Sequence, residues 1–451
     1  MDIFGSSGVR GVAGKGLSPD FVLRVARAAA TEWDTDRVAV ARDTRTTGQL
    51  FANIAAGGIA STGAAVDRLG VAPTPAVTRY CEHESIPAVL ITASHNPPEY
   101  NGIKLVGTDG IELSIPTLER IETHILEENF AVAPWNEITD TRRVESVNDD
   151  YIDELVASVD REAIAAADLT VAIDPGHGAG ALTSPEFYRR LGCTVLTVNG
   201  QPDGHFPGRL PEPVEDHLGD LCRLVASTDA DVGIAHDGDA DRAIFVDEDG
   251  TFISGEESFA ALAAESLSAG DSTVAAVNVS QRLVDVCNDV GATLELTPIG
   301  ATNIITRITE LWDAGKSVPI AGEGNGGIFF PNYRLVRDGA YIGAKFLELL
   351  VDRPASEVVA PYQDYYNVRR NLEYEGDREK KAMVSAAAAY VRTIDADINS
   401  TDGFRMDHGD AWVLVRPSGT EPKIRIYAEA SDPKRADELA TDVYNVISDA
   451  Y

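Results

Sequence analysis

Ile86-Pro87-Ala88-Val89-Leu90-Ile91-Thr92-Ala93-Ser94-His95-Asn96-Pro97-Pro98 is an apolar run that ends in a stiff polar elbow. The first six residues read as a short buried strand. Asn96-Pro97-Pro98 excludes helix, because each proline fixes its own φ and pushes the preceding residue to extended geometry. Ser94 therefore stands on a rigid loop at a strand end, where its hydroxyl can carry a phosphate. Clusters of Ser, Asn and Pro are also the material of plain turns, and these residues alone do not separate the two readings.

Outward from this stretch, apolar β-rich runs alternate with helical patterns, the signature of βαβ units and mostly parallel sheets. Arg37–Ala41 reads as a strand and Gln49–Thr62 as the helix after it. The pattern resets at the strand Leu169–Ile173, followed by a helix at Ser184–Leu191 and a strand at Cys193–Val198. It resets again near Ser254, with a helix at Glu256–Ser268 and a strand at Ser272–Val277. The last part differs: Tyr366–Arg370 and Ala411–Val415 read as antiparallel strands beside helices at Glu379–Val391 and Lys434–Asp449. The expected division is 1–150, 151–251, 252–364 and 365–451. That makes three α/β domains with mixed sheets and a smaller α+β C-terminal domain.

The chain has 451 residues, 44% of them hydrophobic, enough for several cores. No apolar stretch approaches the roughly 18–20 residues of a membrane span. The start, Met1-Asp2-Ile3-Phe4-Gly5, lacks a signal peptide's basic-then-apolar order. A cytoplasmic protein without membrane attachment is therefore expected, and the net charge of −34 argues against binding nucleic acid. Acidic residues are spread everywhere, whereas lysine is confined to eight positions. Such a surface suits a salt-rich, haloarchaeal kind of cytosol, where the Debye length falls to about 3 Å near 1 M salt. Cys81, Cys193, Cys222 and Cys287 have no metal or redox spacing and read as buried free thiols.

Three further stretches carry chemistry. His236-Asp237-Gly238-Asp239-Ala240-Asp241-Arg242 follows the apolar strand Val232–Ala235. Alternate carboxylates of an extended loop can point one way, and they repel one another unless a hard cation such as Mg²⁺ sits among them. An EF-hand is the competing reading, with Asp237, Asp239, Asp241 and Glu248 at its ligand positions. Against it, Arg242 occupies the glycine position and Ala243–Val246 reads as strand. Arg416-Pro417-Ser418-Gly419-Thr420-Glu421-Pro422-Lys423-Ile424-Arg425 is a loop between strands that can clamp a dianion or form a polar hairpin. Gly322-Glu323-Gly324-Asn325-Gly326-Gly327 is a glycine-dense turn whose Glu323 and Asn325 can bond sugar hydroxyls, although plain turns share this composition.

Ile91–Pro97 followed by Asn101-Gly102-Ile103-Lys104 resembles the phosphoserine loop of the α-D-phosphohexomutase superfamily, and the other three stretches resemble its remaining loops in the expected order. The resemblance, to archaeal members of the phosphoglucosamine mutase and phosphomannomutase kind, covers nearly the whole chain. It implies four domains around a central cleft, and a phosphate passed between the 1- and 6-positions of a hexose through phosphorylated Ser94. It implies Mg²⁺ on Asp237, Asp239, Asp241 and the Ser94 phosphate, with hexose 1,6-bisphosphate as activator. Arg10, in Phe4–Gly11, would face the phosphoserine, Arg242 would adjoin the phosphoryl group, and Lys104 would assist proton transfer. His95 would orient the loop or the phosphate rather than act as acid or base. Arg416, Ser418, Gly419, Thr420 and Arg425 would hold the non-reacting phosphate, and Glu323 and Asn325 the sugar. Asn325 replaces a serine common in the superfamily, and Gly327 stands where a histidine is usual. That departure tilts the expected substrate to glucosamine phosphate over mannose or glucose phosphate. Expected alternatives are a metal-dependent sugar phosphatase and a non-catalytic sugar-phosphate sensor. The oligomer is left as monomer or dimer.

Overall fold

The computed structural model describes residues 3–5, 8–418 and 422–449. The first sheet has the order β1-β5-β4-β2-β3-β6. Its strands are β1 (Val9–Val12), β2 (Arg37–Arg42), β3 (Ala65–Val71), β4 (Ala88–Ile91), β5 (Tyr100–Val106) and β6 (Thr141–Arg143). β2, β3, β4 and β6 run parallel, while β5 turns back along β4 and β1 runs antiparallel to β5. Helices α1 (Pro19–Trp33), α2 (Gly48–Ala60), α3 (Thr74–Glu84) and α4 (Ile115–Glu127) connect or cover the strands. All four residues of β4 are buried, as expected of a strand covered on both faces. Ser18 starts α1 by accepting the Phe21 amide, and Pro19 at the first position donates no hydrogen bond the helix would need. The apolar sides of α1, α2 and α4 share one core with β2, β4 and β5.

The second sheet has the order β11-β10-β9-β7-β8. Its strands are β7 (Thr170–Asp174), β8 (Thr194–Thr197), β9 (Val232–Ala235), β10 (Ile244–Val246) and β11 (Phe252–Ile253). β8 and β9 flank β7 in parallel, and β10 and β11 return antiparallel. The aspartate-rich loop therefore joins two antiparallel neighbours. It does not lead into a helix, and Glu248 is engaged with Ser356, whose amide it accepts at 3.1 Å. Both facts set the EF-hand reading aside.

The chain divides into two compact units, one of residues 1–258 and 325–358, the other of 259–324 and 359–451. In the second unit β12 (Ser272–Ala276) lies parallel between β13 (Thr293–Thr297) and β14 (Ala321–Glu323). The hairpin of β15 (Gly327–Phe330) and β16 (Arg334–Arg337) belongs to the first unit. The C-terminal sheet is wholly antiparallel, in the order β17-β21-β20-β19-β18. Its strands are β17 (Tyr366–Glu373), β18 (Asp397–Asn399), β19 (Phe404–Asp407), β20 (Ala411–Pro417) and β21 (Lys423–Ala430). Helices Asp377–Val391 and Pro433–Ser448 pack their apolar sides on it. The sequence-read α/β class holds, with mixed sheets and a smaller antiparallel C-terminal domain. All four cysteines are free; Cys222 corrects the reading of buried thiols, since it is only half-buried. Among the described residues no helix is long and apolar enough to cross a membrane.

Candidate active site

The loop between β4 and β5 is held from within. Arg45, fully buried, donates to the carbonyls of Ser94 (2.9 Å), Asn96 (2.6 Å), Pro97 (2.6 Å) and Tyr100 (3.0 Å). Its Nε donates to Asp43 Oδ2 at 3.0 Å, and the same oxygen accepts Thr92 Oγ1 at 2.7 Å. The Ser94 amide donates to Thr92 Oγ1 at 2.9 Å. These bonds hold Ser94 in the left-handed region at φ 49°, a strained backbone for a residue with a Cβ.

The aspartate-rich loop meets it. A Cβ on Gly238 would lie 2.6 Å from the Ser94 carbonyl oxygen, so only glycine lets the two loops approach this closely. Ser94 Oγ donates to Asp237 Oδ2 at 2.6 Å. Asp239 Oδ2 accepts Thr74 Oγ1 at 2.6 Å and Lys104 Nζ at 2.8 Å. Asp241 Oδ2 accepts Lys104 Nζ at 3.0 Å and Arg337 Nη2 at 2.6 Å. Each of the three carboxylates keeps a second, buried oxygen with no hydrogen-bond partner among the described residues. One oxygen from each lies within 4.8 Å of the others. Unpartnered buried carboxylate oxygens are costly, and an all-oxygen donor set suits a hard divalent cation. The residues fit Mg²⁺.

Charge explains the rest. Burial and its neighbours Asp241 and Asp239 push the Asp237 carboxyl up. Burial acts upward on the other two as well. It is outweighed by Lys104 at Asp239 and by Arg337 and Lys104 at Asp241, which hold both low. Burial alone would depress Lys104, but Asp239, Asp241 and Glu112 hold its ammonium above its ordinary value. His95 is pushed down to about 2 by burial and by Arg242 and Arg10. It is therefore neutral, and its Nδ1 accepts Arg242 Nη2 at 3.0 Å while lying 3.4 Å from Ser94 Oγ. Arg10 Nη1 donates to Asn96 Oδ1 at 3.2 Å. Strand pairing aims this cation: Arg10 is the register partner of Gly102, two residues from Lys104 on the same face of β5.

Of the residues singled out in the sequence, Ser94, His95, Lys104, Arg10, Arg242, Asp237, Asp239 and Asp241 thus gather in the first unit. Asn325 lies in the same unit, where its Oδ1 accepts the Gly327 amide at 3.0 Å. Glu323 ends β14 in the second unit. There too, Arg416 and Arg425 are register partners across β20 and β21. Arg416 Nη2 pairs with Asp402 at 2.9 Å, Arg425 Nη1 donates to Tyr427 Oη at 3.4 Å, and the Ser418 amide donates to the Lys423 carbonyl at 2.8 Å. Gly419 and Thr420 lie outside the described residues. Sequence reasoning missed Arg337 and Thr74, which carry no motif signal, and the role of Arg45 over the Ser94 loop.

Comparison with known proteins decides the family. Four family descriptions match in order. They are phosphoglucomutase/phosphomannomutase alpha/beta/alpha domains I, II and III at 1–132, 149–250 and 254–365, and the C-terminal domain at 368–446. The chain belongs to the phosphoglucomutase/phosphomannomutase family. A phosphoglucomutase/phosphomannomutase of Thermococcus kodakarensis is 39% identical, over 97% of this chain and 96% of that one. A phosphoglucosamine/phosphogalactosamine mutase of Sulfurisphaera tokodaii is 34% identical, over 99% of each. A crystal structure of a Burkholderia thailandensis member of the family superposes with a TM-score of 0.84 at 25% identity, covering 99% of this chain and 98% of that one. The Ser94 and Asp237–Asp241 loops fall within the stretches matched to domains I and II of the family.

Proposed function

We propose that this family member is a cytoplasmic phosphohexomutase that interconverts glucosamine 6-phosphate and glucosamine 1-phosphate through phosphorylated Ser94. The observation that carries the reading is the buried constellation around Ser94 Oγ, 2.6 Å from one of three carboxylates that each hold an oxygen unpartnered among the described residues. In one half-reaction the bond from Ser94 Oγ to phosphorus breaks as a sugar hydroxyl oxygen bonds to that phosphorus. The hydroxyl loses a proton and Oγ gains one. The hexose 1,6-bisphosphate then turns by half a revolution, and its other phosphate passes to Oγ by the reverse step. Added bisphosphate would restore phosphoserine whenever the intermediate escapes, which is why it serves as activator.

Phosphoryl transfer leaves the protein mainly positioning and charge to supply. Arg10 and Arg242 bring cations to the phosphoryl oxygens. Lys104, held as an ammonium, can give a proton to the leaving Oγ and only then accept one from the hydroxyl. Neutral His95 acts as an acceptor that orients Arg242. Asp237, Asp239 and Asp241 would hold Mg²⁺ together with the Ser94 phosphate, and the ion would supply Lewis-acid charge there. Arg416, Ser418, Gly419, Thr420 and Arg425 take the distal phosphate, and Glu323 and Asn325 the sugar.

The amino-sugar choice rests on Asn325, with its donor and acceptor, and on the name of the Sulfurisphaera tokodaii relative, a phosphoglucosamine/phosphogalactosamine mutase. A second reading, phosphomannomutase or phosphoglucomutase, is favoured by the name of the more similar Thermococcus kodakarensis relative. Parallel measurement of kcat/KM on glucosamine, mannose and glucose phosphates, with Mg²⁺ in high salt, separates them. Glucosamine phosphate is expected to lead. A tenfold preference for mannose or glucose phosphate overturns the sugar assignment, and release of inorganic phosphate without isomerisation overturns the mutase reading itself. Whether the active form is monomer or dimer is a matter for sedimentation.

A further inference from the structure

The first sheet places two arginines side by side away from Ser94. In the parallel ladder of β3 and β6, Arg68 is the register partner of Arg143, and Val40 of β2 is the partner of Arg68. Arg42 follows Val40 by two residues and shares its face of the strand. With Gln49 and Ala52 of α2, Gly70 and Thr141, these residues line a cavity of about 310 Å³. None of the lining residues is acidic, in a chain whose 72 acidic side chains outnumber 38 basic ones.

Like charges set opposite one another across a ladder destabilise it, and the contacts these arginines make are weak in charge. Arg68 Nη2 donates to the Asn53 amide oxygen, and Arg42 Nη1 to the Asp43 carbonyl at 2.9 Å. Arg143 comes only to 3.9 Å from Glu145, with both side chains about four-fifths exposed. Asp67, adjacent to Arg68 in sequence, is taken by Arg37, Arg142 and Tyr80. Gln49 stands in the first turn of α2, the end of a helix that favours anions.

We propose that Arg42, Arg68 and Arg143 form a second anion site, which takes the phosphate group of a small metabolite. Three guanidinium forks around one cavity match a tetrahedral oxyanion or a diphosphate. The site abuts the scaffold of the Ser94 loop, since Arg42 adjoins Asp43, whose carboxylate holds Thr92 and Arg45. The inference does not depend on the mutase reading.

Calorimetric titration of the full chain with pyrophosphate tests it, in an Arg416→Ala background that weakens the substrate phosphate clamp. One saturable site is expected, weakened at least tenfold by Arg68→Gln with Arg143→Gln. Arg143→Gln alone, at an exposed position that does not threaten folding, is expected to weaken it at least threefold. Competition with orthophosphate or with ADP then distinguishes a free phosphate from a nucleotide tail, and displacement by either upholds an oxyanion site. Absence of any such site, or unchanged affinity in both variants with the fold intact by circular dichroism, overturns the proposal.

Discussion

Ser94 is held at a backbone angle that costs a residue with a Cβ about 1–3 kcal/mol, and its hydroxyl is aimed at Asp237. Ser94→Ala is expected to lower mutase turnover by about 10³-fold or more, as loss of a covalent carrier does, while the thermal midpoint stays within a few degrees. Intact-mass measurement after incubation with glucose 1,6-bisphosphate should find one phosphate on the parent chain and none on the variant. Full activity of the variant would remove the covalent mechanism. Asp239→Asn takes away one charge of the trio and is expected to weaken Mg²⁺ binding at least tenfold by calorimetry, with activity falling in parallel. Gly238→Ala is a stricter probe, because its Cβ would press on the Ser94 carbonyl. Turnover should drop at least tenfold with Mg²⁺ affinity less affected; unchanged turnover would mean that the two loops need not touch.

At the scale of elements, the Ser94 loop is rigid through one side chain. Arg45 and Asp43 form a pair with no exposure, and four loop carbonyls depend on that guanidinium. Arg45→Ala should destabilise the chain by about 3–5 kcal/mol, the range for breaking a buried pair, measured by urea unfolding. Arg45→Lys should recover little of this, since an ammonium cannot reproduce the planar fork. The β20–β21 hairpin makes a different claim. Arg416→Ala is expected to raise KM and also lower kcat, because distal phosphate binding orients the reacting hydroxyl. Wild-type values for both would detach this hairpin from the substrate. The strands flanking each loop were legible in the sequence, as apolar runs bounded by turn residues. The Asp237–Asp241 loop reads as a candidate cation site rather than an EF-hand because Ala243–Val246 reads as strand. β10 then returns antiparallel beside β9, and no EF-hand helix follows.

For the molecule as a whole, a net charge of −34 dominates. Self-repulsion at that charge is long-ranged in dilute buffer and screened in concentrated salt. The thermal midpoint is expected to rise steadily as KCl goes from about 0.1 M to about 3 M, where the Debye length shrinks several-fold. A flat or falling profile would sink the salt-adapted reading. The amino-acid sequence by itself determined the α/β alternation, the order of the four loops and the residues proposed for phosphate chemistry. Each of these is written in a short window by proline, glycine, period and charge. Tertiary structure alone decided what surrounds them. Thr74 reaches Asp239 across 165 residues, Arg337 reaches Asp241 across 96, and Arg45 reaches the Ser94 carbonyl across 49. The same holds for the arginine pair of β3 and β6, 75 positions apart. Such neighbours follow from strand order and crossover connections, which bring distant segments to one face, and no local pattern encodes which distant side chain will arrive.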